Sequence, residues 1–172
     1  MALNVALNRL GPDRVFAGVA MACVAAVGAA LVSQHVFGMQ PCPWCVLQRV
    51  IFLTIALACG LGLLWRGTIG RHLAAGLGLL LALSGVATAL WHYFKAAASA
   101  SCVQTLADKI VSGMLELDTL WPDVFAPRAS CAEGAVKLLG IPYPFWSLAL
   151  FVMTGFTLLL LLRYRDRPRG RR

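Results

Sequence analysis

Residues Gln40–Leu64 read QPCPWCVLQRVIFLTIALACGLGLL, a Cys-x-x-Cys joined directly to an apolar run with no polar domain between them. From Val46 to Leu64 the run is continuous, shows no period of two, and carries one cation, Arg49, near its start. A helix rises about 1.5 Å per residue, so roughly 20 apolar residues cross a hydrocarbon core. This run has that length, and the strands of a membrane barrel would alternate instead. Three further runs of the same kind lie at Val15–Phe37, Leu73–Phe94 and Phe145–Leu162.

Composition agrees. Of 172 residues, 60% are hydrophobic and 13% charged, with a mean hydropathy of +0.78. Soluble domains are about 45–50% apolar and about 25% charged. The excess sits in the four runs, so the expected fold is all-α, a membrane four-helix bundle formed as a single domain over residues 1–172. The formal charge of +8 does not point to nucleic acid. Six of the twelve arginines fall in the tail 163–172, directly after an apolar run, where a cytoplasmic anchor belongs.

Charge also orients the helices. The N-terminus, the turn 64–73 and the tail together hold ten basic and two acidic residues. The long connection 95–144 holds Lys95, Lys109, Arg128 and Lys137 against Asp108, Glu116, Asp118, Asp123 and Glu133, a net of −1. The positive-inside rule puts both termini and the 64–73 turn in the cytoplasm and residues 38–45 and 95–144 outside. The first run is not read as a cleaved signal, because it exceeds the roughly 7–15 apolar residues of one and the dithiol follows at once.

In the outer loop, Val103, Leu106, Ile110, Met114 and Leu117 recur every three or four residues, which predicts a short amphipathic helix on the membrane surface over Cys102–Leu120. Ser130-Cys131-Ala132-Glu133 fits a capping box, predicting a second helix that runs to Leu139 and ends at Gly140.

This topology sorts the six cysteines. Cys23 and Cys59 fall mid-membrane and read as small buried apolar side chains. Cys42, Cys45, Cys102 and Cys131 fall outside, where an even count reads as two disulfides. Of three possible pairings, Cys42–Cys45 with Cys102–Cys131 closes most locally. No metal site is expected, because zinc favours two close pairs and 28 residues separate Cys102 from Cys131. A bridge across the 102–131 loop would stabilise it by roughly 3–4 kcal/mol, but the Cys42–Cys45 loop is too short to gain in that way. A redox role explains it better.

Position supports that role. Pro43 suits the first turn of a helix, placing Cys42 at or beside its N-cap and Cys45 within the first turn, where unpaired N–H groups favour an anion. Cys42, Cys45 and Arg49, three and four apart, share one face. An arginine just inside an apolar run is functional by default, although snorkelling to the headgroups is the alternative. No haem-attachment, dinucleotide or iron–sulfur motif is present, so a membrane quinone is the economical electron acceptor. His92 lies at the same level and could contact it or belong to an aromatic interface belt; His35 is a weaker candidate.

These features resemble the disulfide bond formation protein B (DsbB) family. The resemblance covers nearly the whole chain: Gln34-His35-Val36, Cys42-x-x-Cys45, Arg49, Gly85-Val86 leading to His92, Cys102, Cys131-Ala132-Glu133, Leu139-Gly140, Pro144 and Trp146. A DsbA–DsbB–quinone chain is what keeps the bacterial periplasm oxidising, as known of that family and not read from these residues. The resemblance implies a thiol:quinone oxidoreductase in which Cys102, paired with Cys131, is attacked by a reduced DsbA-like periplasmic thiol oxidase. The Cys42–Cys45 pair then reoxidises the loop pair, and Cys45 passes electrons to ubiquinone or menaquinone beside Arg49 and His92. Gln48 departs from the acidic residue often found before the arginine, and Pro43-Trp44 differs from the best-studied insert. Besides a metal-binding membrane module, which would keep all four outer cysteines reduced around zinc, two other readings stay open. One is a vitamin K epoxide reductase-like protein, in which the Cys-x-x-Cys typically follows the loop cysteines. The other is a non-catalytic membrane subunit with structural disulfides.

Overall fold

The computed structural model describes residues 2–65, 67–96, 107, 109–110, 119, 121–129, 137–138 and 140–163. Four long helices dominate: α1 (Ala2–His35), α2 (Pro43–Leu64), α3 (Thr68–Trp91), which continues into a π-helical turn at His92–Ala96, and α5 (Tyr143–Arg163). A four-residue helix, α4 (Pro122–Phe125), and an antiparallel pair, β1 (Lys137–Leu138) with β2 (Ile141–Pro142), lie between α3 and α5. The expected surface helix and capping box fall outside the described residues, apart from isolated positions of the former.

Each long helix begins earlier than its apolar run. In α2, Cys42 caps the helix with an extended backbone and Pro43 occupies the first turn, a position where proline's missing N–H costs nothing. In α1 the backbone leaves helical geometry at Gly11 (φ 72°), just before Pro12, so the span proper runs from Gly11 to His35. Four segments, Gly11–His35, Pro43–Leu64, Thr68–Phe94 and Tyr143–Arg163, are long and apolar enough to cross a membrane. The helix expected to reach Leu139 is corrected: Lys137 and Leu138 pair with Pro142 and Ile141 across a turn in which Gly140 has φ 83°. A left-handed glycine serves a helix end and a tight turn equally well, so that residue alone did not discriminate.

Helices α1, α2, α3 and α5 pack in chain order, each on the next, and the α1–α5 contact that closes the ring is much the thinnest. Large side chains such as Met21, Leu57, Leu80 and Met153 point outward, as a lipid solvent allows. Small residues admit the close inner contacts. Gly85 of α3 lies under Phe151 of α5, whose ring stacks on Phe52 of α2 at 4.0 Å and 3°. Hydroxyls that face the membrane satisfy themselves locally: Thr54, Ser84, Thr88 and Thr157 donate to carbonyls three or four residues back. Cys23 and Cys59 are buried, as expected. At the 64–73 end, Arg71 of α3 pairs with Asp13 of α1.

Candidate functional site

The opposite end gathers the polar groups. The Cys42 sulfur accepts the Cys45 N–H at 3.4 Å and lies 2.9 Å from the Cys45 sulfur, so the first turn of α2 brings the two together. Cys42 is fully buried and Cys45 partly exposed. His92, at the start of the π-helical turn, is buried with Nε2 3.4 Å from the Cys42 sulfur, and its Nδ1 has no partner among the described residues.

Arg49 does not snorkel. It is 6% exposed, and its guanidinium is spread over three acceptors. Nη1 donates to Gln34 Oε1 and to the Val124 carbonyl, both at 2.8 Å, and Nη2 donates to the Ala30 carbonyl at 3.4 Å. Gln34 in turn donates to the Asp123 carbonyl at 3.1 Å. The backbone N–H groups of Arg128 and Ala129 reach the Pro41 carbonyl at 3.0 and 3.3 Å. Residues 121–129 are thereby strapped across the mouth of α1 and α2, almost wholly through main-chain atoms. Among the described residues, three of the five guanidinium N–H groups are used.

A cavity of about 230 Å³ opens between α1, α2 and α5, at the thin seam of the ring. Cys45, Gln48, Arg49 and Phe52 line one wall, Tyr143 and Trp146 another, and the small face of α1 at Ala26, Ala29 and Ala30 a third. Ser147 bonds Gln48 Oε1 at 2.6 Å and the Pro144 carbonyl at 3.0 Å, although a hydroxyl carries one proton. Turning the amide over resolves this: Nε2 then donates to Ser147, Ser147 to Pro144, and the otherwise orphaned Nε2 is satisfied.

Of the residues singled out from sequence, Cys42, Cys45, Arg49 and His92 come together here. Cys45 and Arg49 line the cavity; His92 does not, and lies on the Cys42 side instead. His35 is exposed and lines no part of it. Cys102 and Cys131 lie outside the described residues. Sequence reasoning gave no role to Gln34, Tyr143 or Ser147. The available signal was a polar side chain at the end of an apolar run, which Gln34 shares with Arg49.

Residues 12–161 match the family model described as disulfide bond formation protein DsbB. Among similar proteins, disulfide bond formation protein B 1 of Pseudomonas savastanoi pv. phaseolicola is 36% identical over 148 residues, covering 85% of this chain and 87% of its own. Disulfide bond formation protein B of Chromohalobacter salexigens is 35% identical over 145 residues, covering 81% of each. Its namesake in Polaromonas naphthalenivorans is 33% identical over 173 residues, covering 95% of this chain and 99% of its own. With four spans and a dithiol at the mouth of the second, the chain belongs to the DsbB family of multi-pass membrane proteins of disulfide-bond formation.

Proposed function

We propose that the protein is a thiol:quinone oxidoreductase of the bacterial inner membrane, a single domain with both termini cytoplasmic and its active cysteines toward the periplasm. It reoxidises a DsbA-like dithiol oxidase through Cys102–Cys131, restores that pair through Cys42–Cys45, and passes the electrons to ubiquinone or menaquinone. The observation that carries this reading is that Cys45, and not Cys42, lines the cavity. One sulfur of the dithiol thus faces a membrane-accessible space, while the other faces protein.

The cavity suits a quinone. Phe52, Tyr143 and Trp146 offer flat apolar surface, and Arg49, which lines the cavity, is the cationic donor for a ring oxygen. The seam between α1 and α5 gives entry from the lipid side. A bound quinone would supply the two-electron acceptor. His92 holds the Cys42 sulfur and takes or returns its proton as the pair opens and closes, a reassignment from the ring contact expected from sequence. Because Cys42 is fully buried, exchange with the loop pair needs this end to open. The strap at 121–129, two residues short of Cys131, is the segment placed to do it.

Purified protein given a reduced DsbA-like donor is expected to reduce added quinone, followed by absorbance, and the Cys45→Ala variant to fall to the rate without protein. Equal rates in the two would overturn the relay and favour structural disulfides.

A further inference from the structure

Tyr143 is the first residue of α5, set directly after β2 and before Pro144 in the opening turn. Its hydroxyl meets the Ser33 hydroxyl of α1 at 3.3 Å, across the thin seam where the cavity opens, and both residues line that cavity. Ser33 has one proton and gives it to the Ala30 carbonyl at 2.8 Å, so the phenol is the donor of the Tyr143–Ser33 pair. At 3.3 Å the pair is longer than the roughly 2.5–3.0 Å of ordinary O–H···O bonds. Among the described residues, the phenol has no other hydrogen-bond partner.

The geometry points to Tyr143 as the hydrogen-bond donor to the second ring oxygen of the bound quinone, the first being served by Arg49. A para-quinone carries two carbonyl oxygens at opposite ends of its ring. Arg49 and Cys45 lie on the α2 wall, and Tyr143 lies on the α5 wall. A ring held at one end by Arg49 therefore has its far oxygen left to the other walls.

The remaining hydroxyls on the lining are spent. Ser33 donates to the Ala30 carbonyl, and Ser147 donates to the Pro144 carbonyl. Tyr143 is the loosest held of the three, and it needs only to turn from Ser33 to meet a ligand. The quinone arrives from hydrocarbon, where its oxygens have no donor. A bond from the phenol is then a gain for the ligand rather than an exchange for water, and the protein gives up only a long contact.

This inference rests on the quinone reading above, and binding tests it without thiol donor or turnover. Full-length, quinone-depleted protein in detergent would be titrated with short-chain ubiquinone, followed by quenching of tryptophan fluorescence. Tyr143→Phe keeps the ring and loses only the hydroxyl, and its Kd is expected to rise roughly five- to tenfold. Ser33→Ala frees the phenol of its present partner, so its Kd is expected to stay or fall. A hydroxyl pair that merely tied α1 to α5 would predict weaker binding in both variants. Infrared spectra of ubiquinone labelled at its ring carbonyls give a second measure. In Tyr143→Phe one of the two carbonyl bands is expected to move toward its frequency in hydrocarbon while the other stays. Equal affinity of wild type and Tyr143→Phe, matching losses in Tyr143→Phe and Ser33→Ala, or unmoved carbonyl bands would overturn the assignment and leave the quinone reading standing. A wild-type protein that binds no quinone would overturn that reading itself.

Discussion

Gly85→Ala is expected to break the packing of α3 on α5. A Cβ at this position would stand 2.4 Å from two carbons of the Phe151 ring and 2.7 Å from a third. The ring cannot retreat, because Phe52 stacks on it at 4.0 Å and Phe151 is fully buried. Either the aromatic stack or the two helices must separate. Overpacking of this kind costs about 1–3 kcal/mol, occasionally more, and the rigid stack puts this site at the upper end. The check is thermal unfolding in detergent, read by loss of the monodisperse peak: the midpoint should fall by several degrees or the protein should not be recovered. Gly78→Ala should be milder, since it meets only the flexible end of Leu158 at 2.9 Å. Adding Phe151→Leu to Gly85→Ala should recover part of the loss, because sites in contact are not additive. A Gly85→Ala protein as stable as wild type would show that the helices do not approach here.

Arg49→Met is expected to loosen the strap at 121–129 and with it the ordered mouth of the cavity. The substitution removes three hydrogen bonds at once and takes the charged donor from Gln34 Oε1 and the Val124 carbonyl, while the Ala30 carbonyl keeps the Ser33 hydroxyl. Hydrogen bonds to charged groups contribute about 1.5–3 kcal/mol each, so the strap loses its one charged attachment, at Val124, and Gln34, which grips Asp123, loses the partner that orients it, while the bonds to the Pro41 carbonyl stay. Amide hydrogen exchange over 121–129 should accelerate, and the KM for quinone should rise at least tenfold, since 1.4 kcal/mol already corresponds to a factor of ten. Arg49→Lys separates two explanations. An ammonium keeps the charge but lacks the planar fork that spans three acceptors. If lysine restored both exchange protection and KM, charge alone would suffice and the clamp would be dismissed.

The four spans were legible because continuous apolar runs of membrane length have few other uses. Their ends were not, because the cues there are polar. Thr68 to His72 read as a turn, yet Arg71 is helical and pairs with Asp13 across the bundle. Spacing along α2 was enough to align Cys42, Cys45 and Arg49. It could not show that His92, 50 residues from Cys42, would lie on the far side of the dithiol from the cavity. The clamp was invisible for another reason. Main-chain carbonyls are identical at every residue, so a side chain that grips them leaves no partner to find in the sequence.

That anonymity has an evolutionary consequence. Gln34 and Arg49 hold oxygen atoms that any residue at 123 or 124 would supply, so the side chains of the strap are free to diverge without loosening its attachment. Insertions and deletions are a different matter, for they shift which carbonyls meet the clamp. The strap's length should therefore be kept among relatives while its surface drifts, leaving the outer face of the strap open to change while the clamp beneath it stays as it is.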